Sequence, residues 1–215
     1  MSKTSIIMTS YNQNQTLVEM TMATLANITR YTDPEDYDLT LVDCDKKWAI
    51  RDEYGVLKID KTIEVDKSVK YPEAMNIGAA QSDGEYICFI ENDIFVWENW
   101  LNDLLWYIEN DVLDAVMPHQ IPTTRARQLE FNNMTHQEAL NQGNYEAGLI
   151  IMRRSDFEKI GHWDGDKNII CWKDFFSRID DASLRRGHTA KVTISHIAGA
   201  TYFYREDYDR TANND

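Results

Sequence analysis

The stretch Ala74–Trp97, AMNIGAAQSDGEYICFIENDIFVW, decides how the rest of the chain is read. It opens as a short helix, turns at Ser82-Asp83-Gly84-Glu85, and continues as the apolar strand Tyr86–Ile90. The strand stops abruptly at Glu91-Asn92-Asp93. An acid–amide–acid triplet does not belong in the core of an apolar strand, because burying unpaired charge is costly. The triplet is therefore expected at the strand's C-terminal edge, where open α/β sheets bind their ligands. Glu91 and Asp93 are expected to face a cation or a sugar-bearing ligand there.

Working outward to the N-terminus, Ser5–Thr9 (SIIMT) is a buried-strand candidate followed by a polar turn, Ser10–Asn14. Leu17, Met20, Met22, Leu25 and Ile28 recur at roughly helical spacing, which predicts a helix over Gln15–Arg30 broken by Asp33-Pro34. Tyr37–Val42 reads as a second strand, ending in Asp43-Cys44-Asp45. Strand–helix–strand with polar residues at both strand ends is the opening of a nucleotide-binding α/β half. The missing G-x-G-x-x-G after the first strand weighs against a dinucleotide site. Val56–Glu64 holds another short strand candidate, and Lys67–Lys70 is a basic stretch before the opening helix.

Toward the C-terminus, Trp97–Ile108 reads as a helix and Val112–Met117 as a strand. Gln120–Asn144 is polar and is expected to be a loop region with one short helix, of the kind that covers active sites. Ala147–Met152 is strand-like, and Arg153–Ile160 is a short helix ended by Gly161. Trp172–Arg186 reads as a helix carrying Asp174, Asp180 and Asp181, with Gly187 as its stop. Lys191–Ser195 is the last strand, ending at His196; the tail 201–215 is polar and expected to be loosely docked.

At 215 residues the chain fits one medium α/β domain. The net charge of -14 disfavours non-specific nucleic-acid binding, although Arg125, Arg127, Arg153 and Arg154 could form a local positive rim. Cys44, Cys88 and Cys171 are odd in number and lie in or beside apolar runs, as reduced buried thiols do. No window approaches the ~20 apolar residues of a membrane span, and no signal-peptide pattern opens the chain. A cytoplasmic location is expected.

Four segments taken in order resemble glycosyltransferase family 2, built on the glycosyltransferase A fold. They are Ile7–Asn12, Leu41-Val42-Asp43, the stretch from Asn76 through Gly84-Glu85-Tyr86 to Glu91-Asn92-Asp93, and Gly148–Asp164 followed by Trp172-Lys173-Asp174 and His196. The resemblance implies a mostly parallel central sheet with flanking helices. It places a nucleotide-sugar half in residues 1–118 and an acceptor and catalytic half in residues 119–200. It further implies an inverting transfer of one sugar from a nucleotide-diphosphate sugar, by default UDP-linked, with Mn2+ (or Mg2+) as cofactor.

By matching position, Asp93 is the main metal ligand, with His196 as a further one, and Glu91 and Asn92 lie near the ribose or the metal. Thr9, Tyr11 and Asp43 match the positions that hold base and ribose, while Lys70 and Asn76 face the same pocket. Asp174 is the expected base, with Asp180 or Asp181 as fallback, although Lys173 stands where the family carries an acid. Taken singly, Asp93 also reads as a strand-end cap, Tyr11 as a packing aromatic and His196 as a structural histidine. A glycan or lipid-linked acceptor is expected ahead of a modified DNA base. A nucleotidyltransferase and a non-catalytic sugar- or nucleotide-binding module remain the readings of other classes.

Overall fold

A computed structural model describes residues 4–120, 125–141, 148–167 and 170–197. The tail 201–215, Ala147 and parts of the expected loop region (121–124 and 142–144) lie outside the described residues. Strand β1 (Thr4–Ser10) is buried along its whole length and pairs in parallel with β2 (Tyr37–Asp43) and β4 (Tyr86–Ile90). Short β3 (Lys61–Glu64) extends the parallel run beyond β2. On the other side β4 pairs antiparallel with β8 (Leu149–Arg153), which pairs antiparallel with β6 (Ala115–Gln120). β6 then runs parallel to β9 (Arg186–His196), and β9 takes the short strands β5 (Ile94–Phe95) and β7 (Leu140–Asn141) antiparallel. The sheet is thus parallel over β3-β2-β1-β4 and mixed beyond, in the order β3-β2-β1-β4-β8-β6-β9-β5.

The period-two pattern of β1 and β4 explains why helices cover both faces, since successive side chains point to opposite sides. Ile6, Met8, Tyr86, Cys88 and Ile90 face one core, shared with α1 (Gln15–Tyr31) and α3 (Trp100–Glu109). Ile7, Ile87 and Phe89 face the other, shared with α2 (Tyr71–Ala80), α6 (Arg154–Ile160) and α7 (Cys171–Asp181). The polar stretch after β6 contains α4 (Arg125–Asn132) and α5 (His136–Ala139). The second helix starts with a Thr135/Glu138 capping box.

Several boundaries differ from the sequence reading, each for a local reason. α7 stops at Asp181, not Arg186: Ser183 takes a left-handed φ of 57°, and Leu184 N–H closes the last turn on the Ile179 carbonyl. Gly187 therefore lies inside β9, and that strand is longer than Lys191–Ser195. Only Lys61–Glu64 of the expected Val56–Glu64 is strand, because the Asp52 carboxylate accepts from Val56 and Leu57 N–H and ties that segment into a turn. On α1, Met20 and Met22 are only half-buried, and Thr21 and Thr24 take the buried positions.

Cys44, Cys88 and Cys171 are buried free thiols. Burial raises all three, to about 12 at Cys44 and about 11 at Cys171. No helix among the described residues is long and apolar enough to cross a membrane.

Candidate active site

The Glu91-Asn92-Asp93 triplet sits at the C-terminal end of β4. Glu91 N–H makes the last rung to the Gly148 carbonyl at 2.8 Å, after which the chain turns off the strand. Asn92 points into the α1 interface: its amide donates to Thr21 Oγ1 at 2.8 Å, and that hydroxyl donates to Asn12 Oδ1 at 3.0 Å. Thr24 Oγ1 donates to the Asn92 carbonyl at 2.9 Å. These buried polar contacts explain why threonines occupy the inner face of α1. They bolt the acidic turn to the helix that follows β1.

The next residues, β5, pair with the end of β9 so that Ile94 lies opposite His196, and Ile197 N–H closes on the Asp93 carbonyl at 3.1 Å. Sheet register, not sequence proximity, brings His196 to the triplet. Its Nε2 lies 3.1 Å from Glu91 Oε2 and 3.2 Å from Asp93 Oδ1. One ligand atom from each of Glu91, Asp93 and His196 falls within 4.8 Å of the others. Asp93 is 4% exposed, and beyond the three groups themselves neither its Oδ1 nor His196 Nε2 has a hydrogen-bond partner among the described residues. Burial pushes the Asp93 carboxyl up, with His196 pulling it back. At His196, burial pulls the imidazole down, but the Asp93 and Glu91 carboxylates outweigh it and raise the ring to about 9.

Such a cluster, two acids and an imidazole with converging atoms, has the donor set of a divalent-cation site. The residues fit such an ion.

Around the three groups, Trp172 Nε1 donates to Glu91 Oε1 at 2.9 Å, and Gln120 Oε1 lies 2.8 Å from His196 Nδ1. Gly148 has φ +106°, and a Cβ there would sit 3.0 Å from His196 Cε1, so glycine lets the ring approach. Burial, with Glu91 and Asp93 close by, raises the Tyr71 hydroxyl well above its usual value, and the Trp172 side chain pulls it back. Gln120 and Tyr71 were missed in the sequence: one ends a strand expected to stop at Met117, the other precedes Pro72 with no motif to mark it.

Of the remaining expected residues, Thr9, Tyr11 and Asp43 share that sheet edge, whereas Asp180 pairs with the start of β9 at the opposite one. Thr9 and Asp43 end β1 and β2; Asp43 accepts from Ser10 Oγ at 3.0 Å and from Ile50 N–H at 2.8 Å. Burial raises the Asp43 carboxyl, and those two bonds pull it back. Tyr11 packs against the small cluster of Val42, Cys44 and Ala74. Lys70 caps α2, and its ammonium reaches the Gly165 carbonyl at 3.3 Å. Asn76 uses both ends of its amide on the Trp163 backbone, donating at 2.7 Å and accepting at 2.9 Å. Asp174 lies in the first turn of α7, where Arg178 Nε donates to its Oδ2 at 2.9 Å. Asp180 accepts from Arg186 Nε and Nη2, each at 2.7 Å.

A family model described as "Glycosyl transferase family 2" matches residues 5–183. The chain belongs to glycosyl transferase family 2. Among solved structures, it superimposes on GalNAc-T7 with UDP, GalNAc and Mn2+ at a TM-score of 0.69 and 15% identity, over 90% of this chain and 43% of that one. S. aureus TarS gives a TM-score of 0.66 at 12% identity, over 94% of this chain and 38% of that one. TarS 1-349 in complex with UDP-GlcNAc also gives 0.66, at 15% identity over 90% of this chain and 58% of that one. At these identities the likeness establishes the glycosyltransferase A fold. The chain spans between 38% and 58% of the length of the two TarS structures and 43% of GalNAc-T7. A comparison with curated protein sequences returned no match.

Proposed function

We propose that this family 2 protein transfers one sugar from a nucleotide-diphosphate sugar, UDP-linked by default, to an acceptor hydroxyl. The observation that carries the reading is the convergence of Glu91, Asp93 and His196 at the C-terminal end of β4. Two of the similar structures add support, since their descriptions name UDP with Mn2+ and UDP-GlcNAc. Asp93 and His196, with Glu91 beside them, would hold Mn2+ or Mg2+. A cation bound there supplies positive charge against the diphosphate leaving group.

The chain's own residues do the rest. Thr9, Tyr11 and Asp43 line the ends of β1 and β2, where base and ribose are held, and Lys70 adds positive charge at the start of α2. Asn92 and Asn76 act through the backbone they brace, the first on α1 and the second on the Trp163 segment. Asp174 takes the acceptor proton as the acceptor oxygen bonds to the anomeric carbon and the bond to the diphosphate breaks. Arg178 fixes the orientation of that carboxylate. A single displacement of this kind inverts the anomeric centre. A glycan or lipid-linked acceptor fits the charge of -14 better than a modified DNA base does.

A thermal-shift panel of nucleoside diphosphates, each with and without Mn2+, tests the reading, because a ligand of the native state raises apparent stability. UDP with Mn2+ is expected to give the largest rise, and that rise is expected to vanish in Asp93→Ala. No rise with any nucleotide and cation would sink the proposal.

A further inference from the structure

We infer that Trp172 and Gln120 are positioning residues that aim Glu91 and His196 at a single cation. This rests on the proposal that Glu91, Asp93 and His196 hold a divalent ion. Glu91 and His196 each offer two polar atoms, and in each the outer atom is engaged by a protein partner. Glu91 Oε1 accepts from Trp172 Nε1 at 2.9 Å, leaving Oε2 turned toward His196. His196 Nδ1 lies 2.8 Å from Gln120 Oε1, leaving Nε2 turned toward the two carboxylates.

An amide oxygen can only accept, so Nδ1 keeps its proton against Gln120 and Nε2 is the ring atom left to meet a cation. Beyond each other and Glu91 Oε2, Nε2 and the facing Asp93 Oδ1 meet no further partner among the described residues. Outer atoms engaged by protein partners, with the inner atoms turned toward one another, are the pattern of ligands oriented for a metal.

The backbone is arranged to deliver both partners. The pairing of β6 with β9 slips between Pro118 and His119. In unbroken register from Pro118–Thr189, Gln120 would lie opposite Lys191; the slip carries it opposite Ile194, two residues before His196 on the same face of the strand. Irregularities of this kind re-aim side chains beside functional sites. Trp172 comes from the first turn of α7, and its ring packs edge-on against Trp163 with centroids 5.0 Å apart. The helix that carries Asp174 is thereby tied to the cation corner through the Trp172 N–H.

Mn2+ binding to the purified chain, measured by titration calorimetry and by the Mn2+ electron paramagnetic resonance signal, tests the inference without any transfer assay. Gln120→Leu and Trp172→Phe, which remove the acceptor and the N–H, are expected to weaken Mn2+ about 10–100-fold. Gln120→Glu keeps an acceptor for Nδ1–H and is expected to bind within a few fold of the wild type, a rescue that a packing role would not produce. Should Gln120→Leu fail to fold, Gln120→Asn withdraws the same amide by one carbon and is expected to show the same weakening. Wild-type affinity in Gln120→Leu (or Asn) and Trp172→Phe, with binding abolished in His196→Ala, would overturn the inference and leave the cation site standing. Absence of Mn2+ binding in the wild type would overturn the cation reading and this inference with it.

Discussion

Two groups of acids in this molecule are treated in opposite ways. Away from the acidic turn, Asp180 and Asp114 each meet an arginine at 2.7 Å. At the end of β4, Glu91 and Asp93 share one imidazole with no arginine beside them among the described residues, and Glu91 takes one further bond from the Trp172 N–H. Surface acids paired with guanidinium need nothing further. A buried acid and a half-buried one that share a single imidazole have room for a further positive charge. The contrast separates acids that hold the fold from acids that hold a ligand, and it does so independently of any motif.

The largest expected effect breaks the comparison at its ligand side. Asp93→Ala is predicted to lower sugar transfer by about 10²–10³-fold, the usual scale for removing one preorganised electrostatic group, while the melting curve stays cooperative. Transfer rates for the variant within a few fold of wild type would remove Asp93 from the ligand-holding class. Next, Gly148→Ala places a Cβ against the His196 ring in a backbone conformation that favours glycine. It is predicted to cost about 1–3 kcal/mol of stability in denaturant titration, and to weaken Mn2+ in the same variant.

A somewhat smaller effect sharpens the structural side. Thr21→Val removes the hydroxyl that Asn92 and Asn12 share, stranding buried amides. Urea unfolding is predicted to show a loss of about 1–3 kcal/mol. Smallest of all, Asp180→Asn breaks the pair with Arg186, whose acid is half-exposed. A stability change below about 1 kcal/mol is expected, with transfer unchanged. A large loss of transfer in that variant would move Asp180 across the dividing line.

Much of the donor side was legible in the sequence because its signals are local. The alternation in Ile6-Ile7-Met8 and Tyr86–Ile90, and the acids that end β2 and β4, follow from hydrophobic period and strand-end chemistry alone. The C-terminal half was less legible because its geometry depends on contacts distant in sequence. No local pattern announces the slip between β6 and β9 that brings Gln120 beside His196. The end of α7 was misplaced because a serine, not a glycine, takes the left-handed turn. The polar seam of α1 was hidden because Thr21 and Thr24 look like surface residues until Asn12 and Asn92 come to meet them. The Thr135/Glu138 capping box could have been seen, but the polar composition around it masked the helix it starts.

The central claim is that one cation sits among Glu91, Asp93 and His196. Anomalous scattering at the manganese edge, from crystals grown with Mn2+ and UDP, tests it most directly. The account predicts a single strong peak bounded by Asp93 Oδ1 and His196 Nε2, with the diphosphate on its open side. A well-ordered nucleotide with no anomalous peak there, or with the peak elsewhere on the sheet edge, would contradict it.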